Sequence, residues 1–349
     1  MKFPTIRFDE NLHEVPSDPE EWRSFIRTEE RLLGIANNPE ERLRHLETLG
    51  TAHRILRKLN EAEVFLAQAV KLSEALGPPT RVAQNMARLG HVYQWKGEFD
   101  KAHALDDQIR SLGVLSEGLT ASLHQHRGKI FFDQRLYLAA AAEFRAAWRM
   151  RFILNAPADQ LESSENSVKA AQNRSGREFP VRRAFARDVE FIHLAHMRSI
   201  QEVCSKDHTA DEIAGWGHRP LSAERRLADI ANDWVWVSEA NDQVNGYSQL
   251  KIFEKEGRRF GYISGLYLTP EIVGKFVGKS LFQIMLEVLN AYRAESLSLE
   301  STITARNFYK KLGFKSNGPE KEISFGKSLV RCYPMKMLLE PKSRENSAP

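Results

Sequence analysis

Between residues 49 and 147 the chain repeats itself three times, and this period limits what the first half can fold into more than any other feature. One copy carries Leu49-Gly50, His53, Ala62, Leu66 and Ala69; the next carries Leu89-Gly90, Tyr93, Gly97, Phe99, Ala102 and Ile109; the third carries Arg127-Gly128, Phe131, Tyr137, Ala140, Phe144 and Ala147. In each copy a ring follows the Gly by three residues, an Ala follows it by twelve, and a small or apolar residue comes seven later. Such spacing describes two antiparallel helices per copy. A small residue on each helix lets the backbones approach, and the ring and later apolar positions fill the groove between them.

Gly97 sits where the turn between two helices is expected, with a second helix beginning near Asp100. The copies are spaced by 40 and 38 residues. The links "LSEALGPPTRVA" and "RSLGVLSEGLTA" carry Pro and Gly clusters that mark turns. A helix over about 18–35 and a second over about 159–173 are expected to cap the ends, as stacked repeats require. Over residues 40–150 the pattern resembles the tetratricopeptide repeat. That resemblance implies an all-α solenoid and a protein or peptide partner bound at the repeats.

A chain of 349 residues exceeds what one core holds, so at least two domains are expected. The polar stretch "AQNRSGREFP" at 171–180 marks the boundary. The expected organisation is a helical repeat domain over 1–173, a linker over 174–178, a second domain over 179–340 and a disordered tail over 341–349. Fifty basic and 46 acidic residues give a net charge of +4, too balanced to argue for nucleic acid. The N-terminal stretch lacks the apolar run of a secretory signal, and no segment has the apolar length of a membrane span, so the expectation is a cytoplasmic chain without a membrane partner. Cys204 and Cys332 lie far apart and neither has a basic or His neighbour pattern, which argues against a disulfide framework or a nucleophile. "HLAH" at 193–196 is an i, i+3 His pair without an evident third ligand, so no metal is expected.

After residue 180 the periodicity turns mixed. A short strand is expected around 180–185, then a helix from Asp188 with apolar positions Phe191, Leu194 and Met197. Strands follow at 234–240, 246–254 and 260–268, a strongly amphipathic helix at 278–294, a strand at 296–301, a helix at 303–311, and two terminal strands in "GFKSN" and "VRCYPMKMLL". A parallel strand pair joined by the 278–294 helix within a mixed sheet is an α/β (α+β) arrangement.

Two segments here resemble the GNAT acyltransferase superfamily. One is "LYLTPEIVGKFVGKSLF", in register with the family's strand, V-x-P turn and R-G-x-G-x-G helix start. The other is "LESTITARNFYKKLGF", with Ala305, Phe308, Tyr309, Gly313 and Phe314 in the places of A-x-x-F-Y-x-x-x-G-F. The 190–216 stretch, ending in Glu212, Ile213 and Trp216, is similar to the family's substrate-side helices. The resemblance covers about 160 residues and implies an N-acetyltransferase that uses acetyl-CoA as co-substrate and an amine as acceptor.

What the resemblance implies can be carried over residue by residue. The loop and first helical turn, Val273, Gly274, Lys275, Phe276, Val277, Gly278, Lys279 and Ser280, would hold the pyrophosphate. Free N–H groups at a helix start and the positive end of its dipole suit such an anion. The backbone of Leu266, Tyr267 and Leu268 would pair with the pantetheine and polarise the acetyl carbonyl. Tyr309 would protonate the leaving thiolate. Two departures stand out: Val273 replaces an Arg or Gln, and Phe276 replaces the middle Gly, which restricts φ if the turn needs a positive value. The usual strand Glu aligns with Gly265, leaving Glu300 and Glu239 as candidate bases. The alternative reading is a non-catalytic or CoA-sensing scaffold that uses a degenerate fold and repeat-mediated protein binding.

Overall fold

A computed structural model describes residues 3–113, 115–176, 180–240, 243–325 and 328–340, and these form two compact units, Met1–Ser175 and Gly176–Pro349. Residues 177–178 of the expected linker and the expected tail at 341–349 lie outside the described residues.

The first unit opens with a hairpin, β1 (Ile6–Phe8) and β2 (Glu14–Pro16), followed by eight helices: α1 (Pro19–Ile35), α2 (Pro39–Ile55), α3 (Leu59–Leu76), α4 (Pro79–Trp95), α5 (Phe99–Ser111), α6 (Glu117–Asp133), α7 (Tyr137–Ile153) and α8 (Ala158–Ser175). The three repeats become the pairs α2–α3, α4–α5 and α6–α7, each closed by the same turn. Arg57, Gly97 and Arg135 take left-handed φ values of 61°, 73° and 60°. The next residue's N–H then donates to the carbonyl five back, from Lys58 to His53, Glu98 to Tyr93 and Leu136 to Phe131, each at 2.9 Å. The Ala and the apolar residue seven later are buried in all three copies. α1 starts on Pro19 and is capped by Asp18, whose carboxylate accepts from the N–H groups of Glu20 and Glu21.

The Gly positions behave differently from expectation. Gly50 and Gly128 do permit close packing, but what they face sits sixteen residues on, not at the Ala: a Cβ on Gly50 would lie 2.4 Å from Leu66 Cγ, and one on Gly128 would lie 2.5 Å from Phe144 Cδ1. Gly90 faces nothing within 4 Å. In the second copy the facing residue is Asp106, whose carboxylate is drawn away by Arg127 at 2.6 and 2.9 Å.

The second unit is a mixed sheet with flanking helices. Its elements are β3 (Val181–Arg183), α9 (Val189–Arg198), a π-helical turn (Ser199–Val203), α10 (Ala210–Trp216), α11 (Ala223–Asn232), β4 (Trp234–Ala240), β5 (Gln243–Lys255), β6 (Arg258–Leu268), α12 (Val277–Ala291), β7 (Ser296–Thr302), α13 (Ile303–Lys311), β8 (Lys315–Ser316), β9 (Lys321–Phe325) and β10 (Ser328–Leu338). The sheet order is β3-β4-β5-β6-β7-β10-β8, with β9 also paired to β10. β6 and β7 run parallel, joined through α12, while the other pairs are antiparallel. β9 is one strand more than the sequence pattern predicts; its run "KEISF" alternates polar and apolar residues over too few positions to stand out.

The helix near Asp188 forms, but its buried face differs from expectation. Phe191 and Leu194 are 51% and 58% exposed, while Ile192, Ala195, His196 and Met197 are buried. α9 lays this second face on β5 and β6. In a ten-residue helix with apolar residues on two faces, period alone does not choose between them.

Candidate active site

The site is built around a parting of two strands. β6 and β7 pair through Gly261–Leu297, Tyr262–Ser298 and Ile263–Leu299, and the pairing ends there. Opposite β5 the register slips, so that Gln249 faces Gly265 while Leu250 faces Ile263, leaving Ser264 as an extra residue on β6. Such a bulge bends its strand and sharpens the local twist. β6 therefore runs on to Leu268 beside β5, and β7 runs on to Thr302 beside β10. Between them a wedge opens. Gly265, Leu266, Tyr267 and Leu268 form one wall, and Glu300 is the first residue past the last pair on the other.

α12 begins at this opening. Gly274 has a φ of +79° and Phe276, the residue before the helix, has a φ of +63°, so the turn does demand the left-handed backbone that the sequence placed in doubt. A non-glycine residue there costs about 1–2 kcal/mol. Phe276 is 76% exposed and Val273 is 46% exposed, so neither ring nor methyls are packed away. The helix start leaves the N–H groups of Val277, Gly278 and Lys279 without partners inside the helix. Lys275 and Lys279 are exposed beside them. Ser280 is buried, and both its N–H and its hydroxyl donate to the Phe276 carbonyl, so its side chain is spent on the loop. A Cβ on Gly278 would lie 3.3 Å from Leu268 Cδ1 and 3.5 Å from Phe308 Cζ. The end of β6, the start of α12 and α13 thus meet at one point.

Tyr309 lies on α13, buried between Phe308 and Phe314 with ring centroids 5.2 and 5.5 Å away. Burial raises its phenol above the ordinary range, so it is protonated at neutral pH. Burial likewise raises the phenol of Tyr267 on β6.

The two candidate carboxylates separate clearly. Glu239 bonds Arg182 at 2.7 Å, and the same guanidinium grips Asp188 at 2.8 and 3.0 Å, making a buried structural network. Glu300 gives one oxygen to Lys321 at 2.8 Å, while its Oε2 is buried without a hydrogen-bond partner. Position 265 cannot take a carboxylate without movement: a Cβ there would stand 3.1 Å from Tyr247 Oη.

Around that Tyr247 lies a cluster that motif reading passes over. Tyr247 and Tyr267 are cross-strand partners with stacked rings 5.6 Å apart, and the His196 ring sits 4.0 Å from Tyr267. His196 Nδ1 is 3.1 Å from Tyr247 Oη and 3.4 Å from an Arg226 nitrogen. Arg226 only donates, so Nδ1 accepts and the neutral ring carries its proton on Nε2. That Nε2 is buried and has no partner. Burial, then Arg226, Arg219 and His193, hold the ring's pKa well below the usual value. His196 is thus a poised donor rather than a base. The signal available in the sequence was a His on the face of α9 opposite to the one its apolar residues suggested.

Among the described residues no group of three metal-ligating side chains occurs, which leaves the His193–His196 pair without a third ligand. Cys204 and Cys332 are free and buried, and burial pushes their thiols up to about 12 and about 11, so neither is a thiolate.

Comparison with known proteins gives the following. Residues 204–339 match the family model of the acetyltransferase (GNAT) domain. Similar solved structures include a GCN5-related N-acetyltransferase from Rhodopseudomonas palustris, 17% identical over 47% of this chain and 97% of that one, with a TM-score of 0.41. The PaiA N-acetyltransferase of Thermoplasma acidophilum, solved with coenzyme A, is 19% identical over 47% of this chain and 100% of its own, with a TM-score of 0.38. YncA of Salmonella typhimurium, a putative acetyltransferase solved with acetyl-CoA, is 19% identical over 49% and 100%, with a TM-score of 0.36. A search of curated proteins gave no match.

Proposed function

We propose that the GNAT domain matched by residues 204–339 is an acetyl-CoA-dependent N-acetyltransferase, with the β6–β7 wedge as its thioester site. The observation that carries this reading is the convergence of three elements. The strand wall of Leu266–Leu268, paired to β5 but not to β7, the bare helix start at Val277–Lys279 and the helix that carries the buried Tyr309 meet around Gly278 and Phe308. Acetyl-CoA needs those three things: a strand edge for the pantetheine, N–H donors for the pyrophosphate, and a proton for the sulfur.

In this reading an amine attacks the thioester carbonyl, the strand N–H groups hold the oxyanion, and the thiolate leaves with the Tyr309 proton. Glu300 takes the amine proton through its unpartnered Oε2. Lys321 fixes the other oxygen at 2.8 Å. The acceptor is an amine of a protein or small molecule, and the helical unit recruits a partner or substrate. The working chain is cytoplasmic; no helix among its described residues is long and apolar enough to cross a membrane.

One observation favours a second reading, a CoA-sensing or non-catalytic scaffold: Phe276 stands exposed at the turn where phosphate oxygens would approach. Thermal unfolding with and without acetyl-CoA separates the two, since a ligand at 100 times its Kd adds about 2.7 kcal/mol. A shift together with thiol release on adding amines supports the enzyme. A shift without thiol release on any amine supports the sensor, and no shift at millimolar acetyl-CoA supports the non-catalytic scaffold.

A further inference from the structure

The acceptor amine has to reach the thioester from the side of the sheet that CoA leaves free. On β6, Leu268 turns toward the start of α12, where a Cβ on Gly278 would lie 3.3 Å from its Cδ1. Side chains alternate along a strand, so Tyr267 turns to the opposite face. There it packs against the cluster that holds Met197 of α9, Ile200 of the π-helical turn and Trp216 of α10. A CoA held at the α12 start leaves this Tyr267 face to the amine.

Arg219 and Arg226 border that face. Arg219, just past α10, donates through Nε to the Trp216 carbonyl at 3.0 Å. Its Cζ stands 5.4 Å over the ring of Phe325, which packs in the same cluster as Tyr267. Arg226, on α11, has its Cζ 5.0 Å over the Tyr247 ring and a nitrogen 3.4 Å from His196 Nδ1. Tyr247 stacks on Tyr267, so each guanidinium lies one side chain away from the wedge wall. Neither arginine is fully buried. What they lack is anions. Among the described residues Arg219 meets no carboxylate within 4.0 Å, and Arg226 meets only Asp229, at 3.9 Å. Burial lowers the Arg219 pKa, and the cations Arg225 and Arg226 add to this. His193 on α9 is lowered in the same way, by burial and then by Arg226 and Arg219. A face with this surplus of positive charge repels a polyamine and attracts a molecule with a negative group. The planar guanidinium fork is the side chain best matched to a carboxylate or a phosphate.

We propose that the acceptor is a small amine that also carries an anionic group, a carboxylate or a phosphate, and that Arg219 and Arg226 bind this group while the amine faces the wedge. This rests on the transferase reading of the wedge, and the reaction is the same. The amine nitrogen takes the acetyl group as the carbon–sulfur bond breaks, its proton passes to Glu300, and the thiolate takes the Tyr309 proton.

Matched acid and amide pairs test it: glycine, β-alanine and γ-aminobutyrate, each against its own amide, with O-phosphoethanolamine and spermidine alongside. Thiol release from acetyl-CoA is followed on the full-length protein, with kcat/KM expressed per free amine. For at least one pair the acid should exceed its amide by about tenfold or more, the scale of a hydrogen bond to a charged group. Arg219→Gln should bring that ratio close to one, and Arg219→Lys should keep part of it. Damage to the fold lowers acid and amide alike, so the ratio still reads the site in a weakened variant; Arg226→Gln is the second variant. Amino acids outpacing O-phosphoethanolamine identify a carboxylate site, and the reverse order identifies a phosphate site. Amides or spermidine matching the acids, or a ratio unchanged in both glutamine variants, would overturn the proposal. If no amine releases thiol, the wedge is not a transferase site, and calorimetric titration of the CoA-bound protein with the N-acetylated acids and amides decides the arginine site. Tighter binding of an acid, weakened in Arg219→Gln, upholds it; equal or absent binding overturns it.

Discussion

Gly50, Gly90 and Gly128 occupy one position of the repeat, yet their replacement by Ala should give opposite results. Ala in a helix interior is favoured over Gly by about 0.8–1.0 kcal/mol. At Gly90 a Cβ meets nothing within 4 Å, so the gain should appear undiminished. For a unit the size of Met1–Ser175 that is a rise of about 2–4 °C in its unfolding midpoint. At Gly128 the Cβ would overlap Phe144 at 2.5 Å, and Phe144 is fully enclosed. Overpacking of that kind costs about 1–3 kcal/mol, which outweighs the helix gain and leaves a net loss of up to about 2 kcal/mol. Gly50→Ala meets Leu66 Cγ at 2.4 Å and should also lose, though a Leu re-packs more readily than a ring. Urea unfolding followed by far-UV circular dichroism, with midpoints compared at constant slope, reads all three. Phe144→Leu in the Gly128→Ala background should recover part of the loss, since contacting residues couple by about 0.5–3 kcal/mol. If Gly90→Ala and Gly128→Ala shift the midpoint in the same direction, the Leu66, Asp106, Phe144 explanation of the groove is wrong.

Other outcomes follow from the second unit and the hairpin. Phe276→Gly removes a left-handed non-glycine residue and should raise stability by about 1 kcal/mol, read by thermal unfolding, and should lower the Kd for acetyl-CoA. A loss of stability would show that the exposed ring is doing some packing after all. Tyr309→Phe should leave acetyl-CoA binding in place and cut kcat by about 10²–10⁴-fold, the range for a lost general acid; full turnover would remove Tyr309 from the mechanism. Glu14 is buried, which alone would raise its pKa, but Arg54 and Lys129 outweigh this and hold it well below the usual carboxylate range. A depressed folded pKa gives stability that is present above the unfolded value of about 4.3 and lost as pH falls below it. The stability gap between wild type and Glu14→Gln should therefore narrow in acid, and a gap that stays constant would refute the ion pair's role.

Element order and repeat phase were legible because each rests on many residues acting together. The His53–Tyr93–Phe131 and Ala62–Ala102–Ala140 rows fix three helix pairs, and all three form as spaced. What the pattern could not carry was pairwise. Whether Gly90 packs depends on Asp106 choosing Arg127, a contact between side chains in different helices. Likewise the left-handed turn at Gly97 was visible only because Gly marks it, while Arg57 and Arg135 adopt the same conformation without a marker. Leu266–Leu268 and Tyr309 stand out in the sequence through the family pattern, but the bulge beside the wedge lies at Ser264, a residue with no distinctive signature. His196 was visible as half of a His pair, and its tautomer is set by Arg226, 30 residues away in sequence.

Phe276 departs from the family pattern at a turn whose backbone is nonetheless left-handed. The family pattern places Gly there, where phosphate oxygens approach the backbone, and this chain puts Phe276 at a φ of +63°. The helix start behind it is intact, so the N–H groups of Val277, Gly278 and Lys279 remain aimed outward. What is lost is the polar side chain at Val273 and the open approach above residue 276. Backbone donors and a dipole bind an anion without either. The side chains at 273 and 276 depart from the family pattern, whereas the backbone makes a left-handed turn into a bare helix start.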